Sequence, residues 1–149
     1  MEDAESRLPI REWAWSWLAL TAALAIHVAD EAAHDFLAVY NPNAAAIRSH
    51  LPWLPIPTFT FRTWLTLLAA AVVVLALLSI LAFRAVFGLR LFAYFYAVVM
   101  ILNGVAHSVS SLYTHRLMPG VLSSPLLIVC GAVLLSTTRG ISSLKRQPL

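Results

Sequence analysis

The 149-residue sequence predicts an all-α integral membrane protein, a four-helix bundle with a polar site between its first and third helices. Three observations carry that expectation. Hydrophobic residues make up 60% of the chain and charged residues 11%, where ordinary soluble domains hold about 45–50% and about 25%. Apolar runs close to the ~20 residues that a helix needs to cross a bilayer recur along the chain. Polar and ionisable side chains gather at helical spacing inside two of those runs, where each intramembrane charge costs about 2.5–3.5 kcal/mol and lipid exposure is disfavoured. The length fits a single transmembrane domain over residues 1–149, with no room for a second core.

Residues 1–12 carry mixed charge and Pro9 and read as a short surface tail. The first span is expected at about 13–40, with Trp13, Trp15 and Trp17 around its start as an interfacial aromatic belt. Asn41-Pro42-Asn43 reads as its end, with a short helix from Pro42 through Arg48. Residues 41–60 are then expected to form an interfacial loop anchored by Trp53, with Arg48 and His50 at the headgroup level, placed to act as a lid.

The second span, 61–83, holds 19 uncharged residues from Trp64 through Ala82 and reads as scaffold. A very short turn around Gly88 predicts that the third span, 91–113, packs antiparallel beside the second. Leu117-Met118-Pro119-Gly120 is a turn signal, and the fourth span is expected at 121–138, followed by a basic soluble tail. Cys130, the single cysteine, reads as a small buried hydrophobe.

Lys/Arg bias sets the expected orientation. Arg7, Arg11, Arg84, Arg90, Arg139, Lys145 and Arg146 fall on one side, and Arg48, Arg62 and Arg116 on the other. The positive-inside rule places both termini in the cytoplasm of a multi-pass protein in the plasma or inner cell membrane. His27 and His107 then lie at nearly the same depth, toward the outer side.

The chemistry-bearing stretch is Ile26-His27-Val28-Ala29-Asp30-Glu31-Ala32-Ala33-His34-Asp35. At about 100° per residue, His27, Asp30, Glu31 and His34 share an arc of roughly 100°. On the third span Tyr96, Met100, Asn103, Ser110, Ser111 and Thr114 lie within about 60° of His107, and His115 at about 80°. Imidazole nitrogens and carboxylate oxygens in this pattern suit one zinc or non-haem iron ion, with His27, Glu31, His34, His107 and His115 as candidate ligands. Glu31-x-x-His34 is the i, i+3 pairing of helical di-iron bundles, but the second such motif is missing, which favours one metal with open positions. Asp30, Glu31, Asn103 and His107 are the candidate catalytic residues: Glu31 as general acid or base, Asp30 as the carboxylate that orients a ligand or takes a proton.

His27-x-x-Asp30-Glu31, Asn103-x-x-x-His107, His115 and Pro119-Gly120 together resemble the HXXEE family of small multi-pass membrane proteins over roughly residues 15–135. Asp30 departs from the family's Glu and is one methylene shorter. The resemblance implies a site of histidines and acids in a family of unknown function, and it names no substrate.

The expected function is a membrane-embedded, metal-assisted enzyme acting on a lipid or another hydrophobic small molecule. The alternative is a non-catalytic membrane binder or carrier of a metal ion, a proton or a small ligand; a chain this short is not expected to be an elaborate transporter unless it forms a homo-oligomer. The partners expected are the lipid bilayer and that hydrophobic ligand. No basic block with interleaved aromatics supports nucleic-acid binding, and Gly-x-Ser-x-Gly, P-loop and dinucleotide fingerprints are missing.

Overall fold

The computed structural model describes residues 2–86 and 88–144, which form five helices and no strand. They are α1 (Glu2–Ala33), α2 (Phe36–His50), α3 (Phe61–Phe83), α4 (Leu89–Thr114) and α5 (Ser124–Leu144). Among the described residues, α3, α4 and α5 are long and apolar enough to cross a membrane. Lys145 and Arg146, counted toward the expected orientation, lie outside the described residues.

Helix α1 differs from the expected first span at both ends. It begins at Glu2 and carries Pro9 inside it, so the expected surface tail is helical. Its other end comes at Ala33 instead of Tyr40. The chain turns through His34 and Asp35, and Asp35 adopts a left-handed conformation with φ 53°. Aspartate tolerates that region better than most residues. The expected 41–60 loop is likewise shortened, because α2 continues through Pro42 to His50. Asn41 fastens the remaining loop to α2: its amide donates to the Phe59 carbonyl at 2.9 Å and accepts from the Phe59 N–H at 3.0 Å. Tyr40 and Arg48 donate to the carbonyls of Pro57 and Ile56.

The second span forms as expected, starting from a Thr60 side chain that accepts the Thr63 N–H. The expected neighbouring of the second and third spans does not form. The helix pairs that pack are α4 with α5, α1 with α5 and α1 with α3. Helix α1 therefore lies between α3 and α5, and α3 and α4 face each other across a gap. Gly104 permits the close approach of α4 and α5, since a Cβ there would lie 2.8 Å from the Ser124 carbonyl oxygen. Helix α5 starts three residues later than the expected span and runs on through Arg139 to Leu144, so that part of the basic tail is helical.

Polarity runs inside out. Leu91, Leu102, Leu112 and Leu117 are exposed, while Ser16, Thr21, His27, Glu31, Ser79, Ser123, Ser124 and Thr138 are buried. Trp13 and Trp17, expected at the interface, are fully buried, and each indole N–H needs a partner there. Trp13 donates to the Thr138 hydroxyl at 3.1 Å and Trp17 to the Leu75 carbonyl at 2.8 Å. Trp15 alone of the three is exposed, with its ring edge-on to Phe83.

Candidate metal centre

His27 and Glu31 stand one turn apart on the buried face of α1, and His107 reaches them from α4. Glu31 Oε1 is 3.1 Å from His107 Nε2 and 3.6 Å from His27 Nε2. The two imidazole rings meet edge to face with centroids 4.9 Å apart. One ligand atom from each of the three residues falls within 4.8 Å of the others, so the group could hold a metal ion. Two atoms each about 2.1 Å from a tetrahedral zinc stand about 3.4 Å apart. The observed 3.1 and 3.6 Å bracket that value.

The opposite edge of each ring is tied down, which decides where its proton sits. Ser123 Oγ lies 2.8 Å from His27 Nδ1 and donates to Asp30 Oδ2 at 2.7 Å. Its one proton goes to the carboxylate, so it accepts from His27 Nδ1–H. That leaves His27 Nε2 as an acceptor, bonded by the Asn103 amide N–H at 3.2 Å and 3.6 Å from Glu31 Oε1. His27 thus holds the tautomer that leaves Nε2 as an acceptor, and His107 presents its Nε2 to Glu31 Oε1 at 3.1 Å.

The turn before α5 organises this arrangement. Gly120 has φ +83°, and a Cβ on it would lie 2.8 Å from His27 Cε1 and 3.0 Å from His107 Cε1 and Nδ1. Only glycine lets the backbone pack this closely against both rings. The Ser124 hydroxyl donates to the Gly120 carbonyl at 2.7 Å, and Ser123 Oγ lies 3.1 Å from the same oxygen. Asp30 Oδ2 also accepts the Ser123 N–H at 2.9 Å, which places a carboxylate at the N-terminus of α5, where the helix dipole favours negative charge.

The other candidates sort by position. Asp30 is held on Oδ2 by Ser123 and on Oδ1 by His34, and its contacts orient His27 through Ser123. His34 lies just past the end of α1 with its side chain 52% exposed, paired with Asp30 at 2.9 Å and outside the three-residue group. His115 ends α4 in a left-handed conformation, exposed and also outside the group. Ser123 went unremarked in the sequence beyond its polarity. Its signal was a serine directly before the Ser124-Pro125 helix start.

Two cavities reach the group. One, of about 380 Å³, is backed by α1 and walled by α3 and α4, and it opens onto His27, Glu31 and Asn103. The other, of about 200 Å³, reaches His107 between α2, α4 and the Met118-Pro119 turn. No protein-family profile, no curated protein and no solved structure matches the chain.

Proposed function

We propose that the chain is a multi-pass membrane protein in which α1, α3, α4 and α5 form a four-helix bundle, and that His27, Glu31 and His107 hold one zinc or non-haem iron ion for chemistry on a lipid or another hydrophobic small molecule. The observation that carries this reading is the convergence of two imidazole Nε2 atoms and one carboxylate oxygen, with the His27 Nδ1 proton committed to Ser123. Donor chemistry supports it too, since two histidines and a carboxylate form a familiar ligand set for either metal and leave coordination positions open. Such an ion supplies Lewis acidity and a bound water that ionises near neutral pH.

The protein's own contribution is to place and shield. Asp30, through Ser123, fixes the His27 ring, while the backbone at Gly120 packs against His107. The Asn103 amide stands beside His27 where a bound polar group would meet it. Glu31, almost fully buried, is the one carboxylate able to ligate or to exchange a proton with a substrate. The apolar cavity keeps bulk water from that side. In this reading α1 is polar because α3 and α5 shelter it from lipid.

The second reading is a metal-free binder or proton carrier, and it rests on the His107–Glu31 distance of 3.1 Å, which is also a good hydrogen bond. Elemental analysis of detergent-purified protein, prepared without chelator, separates the two. Wild type is expected to carry about one metal ion per chain, and Glu31→Gln, which keeps the shape and loses the anionic ligand, is expected to lose most of it. Wild type without stoichiometric metal overturns the metal reading and leaves the binder.

A further inference from the structure

The cavity beside the cluster has a direction. Its lining on α3 extends from Leu68 to Leu78, which spans about 15 Å at helical rise, and on α4 from Asn103 back to Phe92, a similar distance. The polar groups His27, Glu31 and Asn103 sit together at one end. Past them only the Tyr96 hydroxyl is polar, and it is turned to Thr21. At the far end Phe92 and Tyr96 pack against the buried Trp17 ring, with centroids 5.8 and 5.4 Å away. The groove is therefore a narrow apolar slot with one reactive end.

It is open on the lipid side. Helices α3 and α4 are both apolar enough to cross a membrane, yet they do not pack on one another. Val74 and Phe95, which line the slot, remain 53% and 64% exposed. A cavity of about 380 Å³, drawn out over about 15 Å of α3, has the shape to seat one extended aliphatic chain.

We propose that this slot binds a single-chain amphiphile, entering sideways from the bilayer between α3 and α4, with its alkyl tail along Leu75 and Val99 and its polar head at His27, Glu31 and Asn103. The proposal rests on the site reading above and narrows the substrate to lipids with one aliphatic tail and a small polar terminus.

The test uses the full chain in phosphatidylcholine vesicles with a diazirine-tagged medium-chain fatty alcohol, and labelled residues are mapped by mass spectrometry. Labelling is expected to concentrate on Ala71, Leu75 and Val99 and to be competed by untagged single-chain alcohols. Ala71→Trp, or Val74→Trp from the rim, is expected to cut labelling about tenfold, or about 1.4 kcal/mol, with metal content unchanged. Leu77→Trp, on the exposed face of α3 outside the slot, is expected to change neither. Glu31→Gln is expected to lose metal and keep the labelling pattern. Labels spread evenly over exposed Leu77, Leu91 and Leu102, or an Ala71→Trp protein indistinguishable from Leu77→Trp, would overturn the proposal. Metal-free wild type with labels confined to the slot defeats the metal reading alone and leaves chain binding standing.

Discussion

Gly120→Ala perturbs the cluster from a residue that has no chemistry of its own. The added Cβ would lie 2.8 Å from His27 Cε1 and 3.0 Å from His107 Cε1. Carbon atoms in contact stand about 3.5–4.0 Å apart, so one ring or the turn must move by about 0.7 Å. Metal–ligand distances tolerate about 0.2 Å, which makes the displacement large on the scale that matters for ligation. Two energetic costs add. An L-residue held at φ +83° costs about 1–2 kcal/mol, and overpacking a filled site about 1–3 kcal/mol, for about 2–5 kcal/mol in all.

The assay is thermal unfolding in detergent with and without chelator, beside metal content. Wild type is expected to lose melting temperature on chelation. Gly120→Ala is expected to start lower by several degrees, to carry little metal and to respond little to chelator. Gly140→Ala is the control, because a Cβ there meets nothing within 4 Å. If Gly120→Ala matches Gly140→Ala in both metal content and melting temperature, the packing of the turn against the two rings is not what holds the cluster.

Ser123→Ala removes the hydroxyl that links Asp30 to His27 and is expected to weaken metal binding by about 10–100-fold, as outer partners of ligating histidines generally do; a metal titration with a competing chelator reads it. His34→Ala and His115→Ala are expected to leave metal content at the wild-type level, because both side chains are exposed and lie outside the three-residue group. Loss of metal in either would mean that the exposed histidine swings inward to ligate.

The parts of the fold legible in the sequence are those written in local spacing. The second span was readable because its apolar run is unbroken and ends at charged residues. His27 and Glu31, four apart, had to share a helix face, and their chemistry marked that face as inward. What depended on tertiary context was hidden. Neither Gly nor Pro marks the break at His34-Asp35, which depends on an aspartate accepting a left-handed backbone. Pro42 looked like a helix end, but α2 passes through it, and Asn41 bonds the following loop instead. Trp13 and Trp17 looked interfacial because indoles often are, whereas here each finds an acceptor on another helix. The short turn at Gly88 implied adjacent helices, and the structure leaves a slot between them. Ser123 acquires its meaning only when α5 is brought against α1.

The position of α1 explains why the chain keeps so much polarity in so apolar a context. A helix packed between two others is sheltered on both sides, and α1 carries His27 and Glu31 buried there. Burial has a cost, because Glu31 is 5% exposed and an unpaired carboxylate is expensive in a low-dielectric site. The groups near its Oε1 are the two imidazole Nε2 atoms, at 3.1 and 3.6 Å. A divalent ion among the three atoms would draw the carboxylate and both imidazoles to one centre, with the Asn103 amide giving up its bond to His27 Nε2. The proposed metal is thus the species that best completes the electrostatics of the residues already present, and the apolar slot leading to it gives that centre a reason to sit inside a membrane.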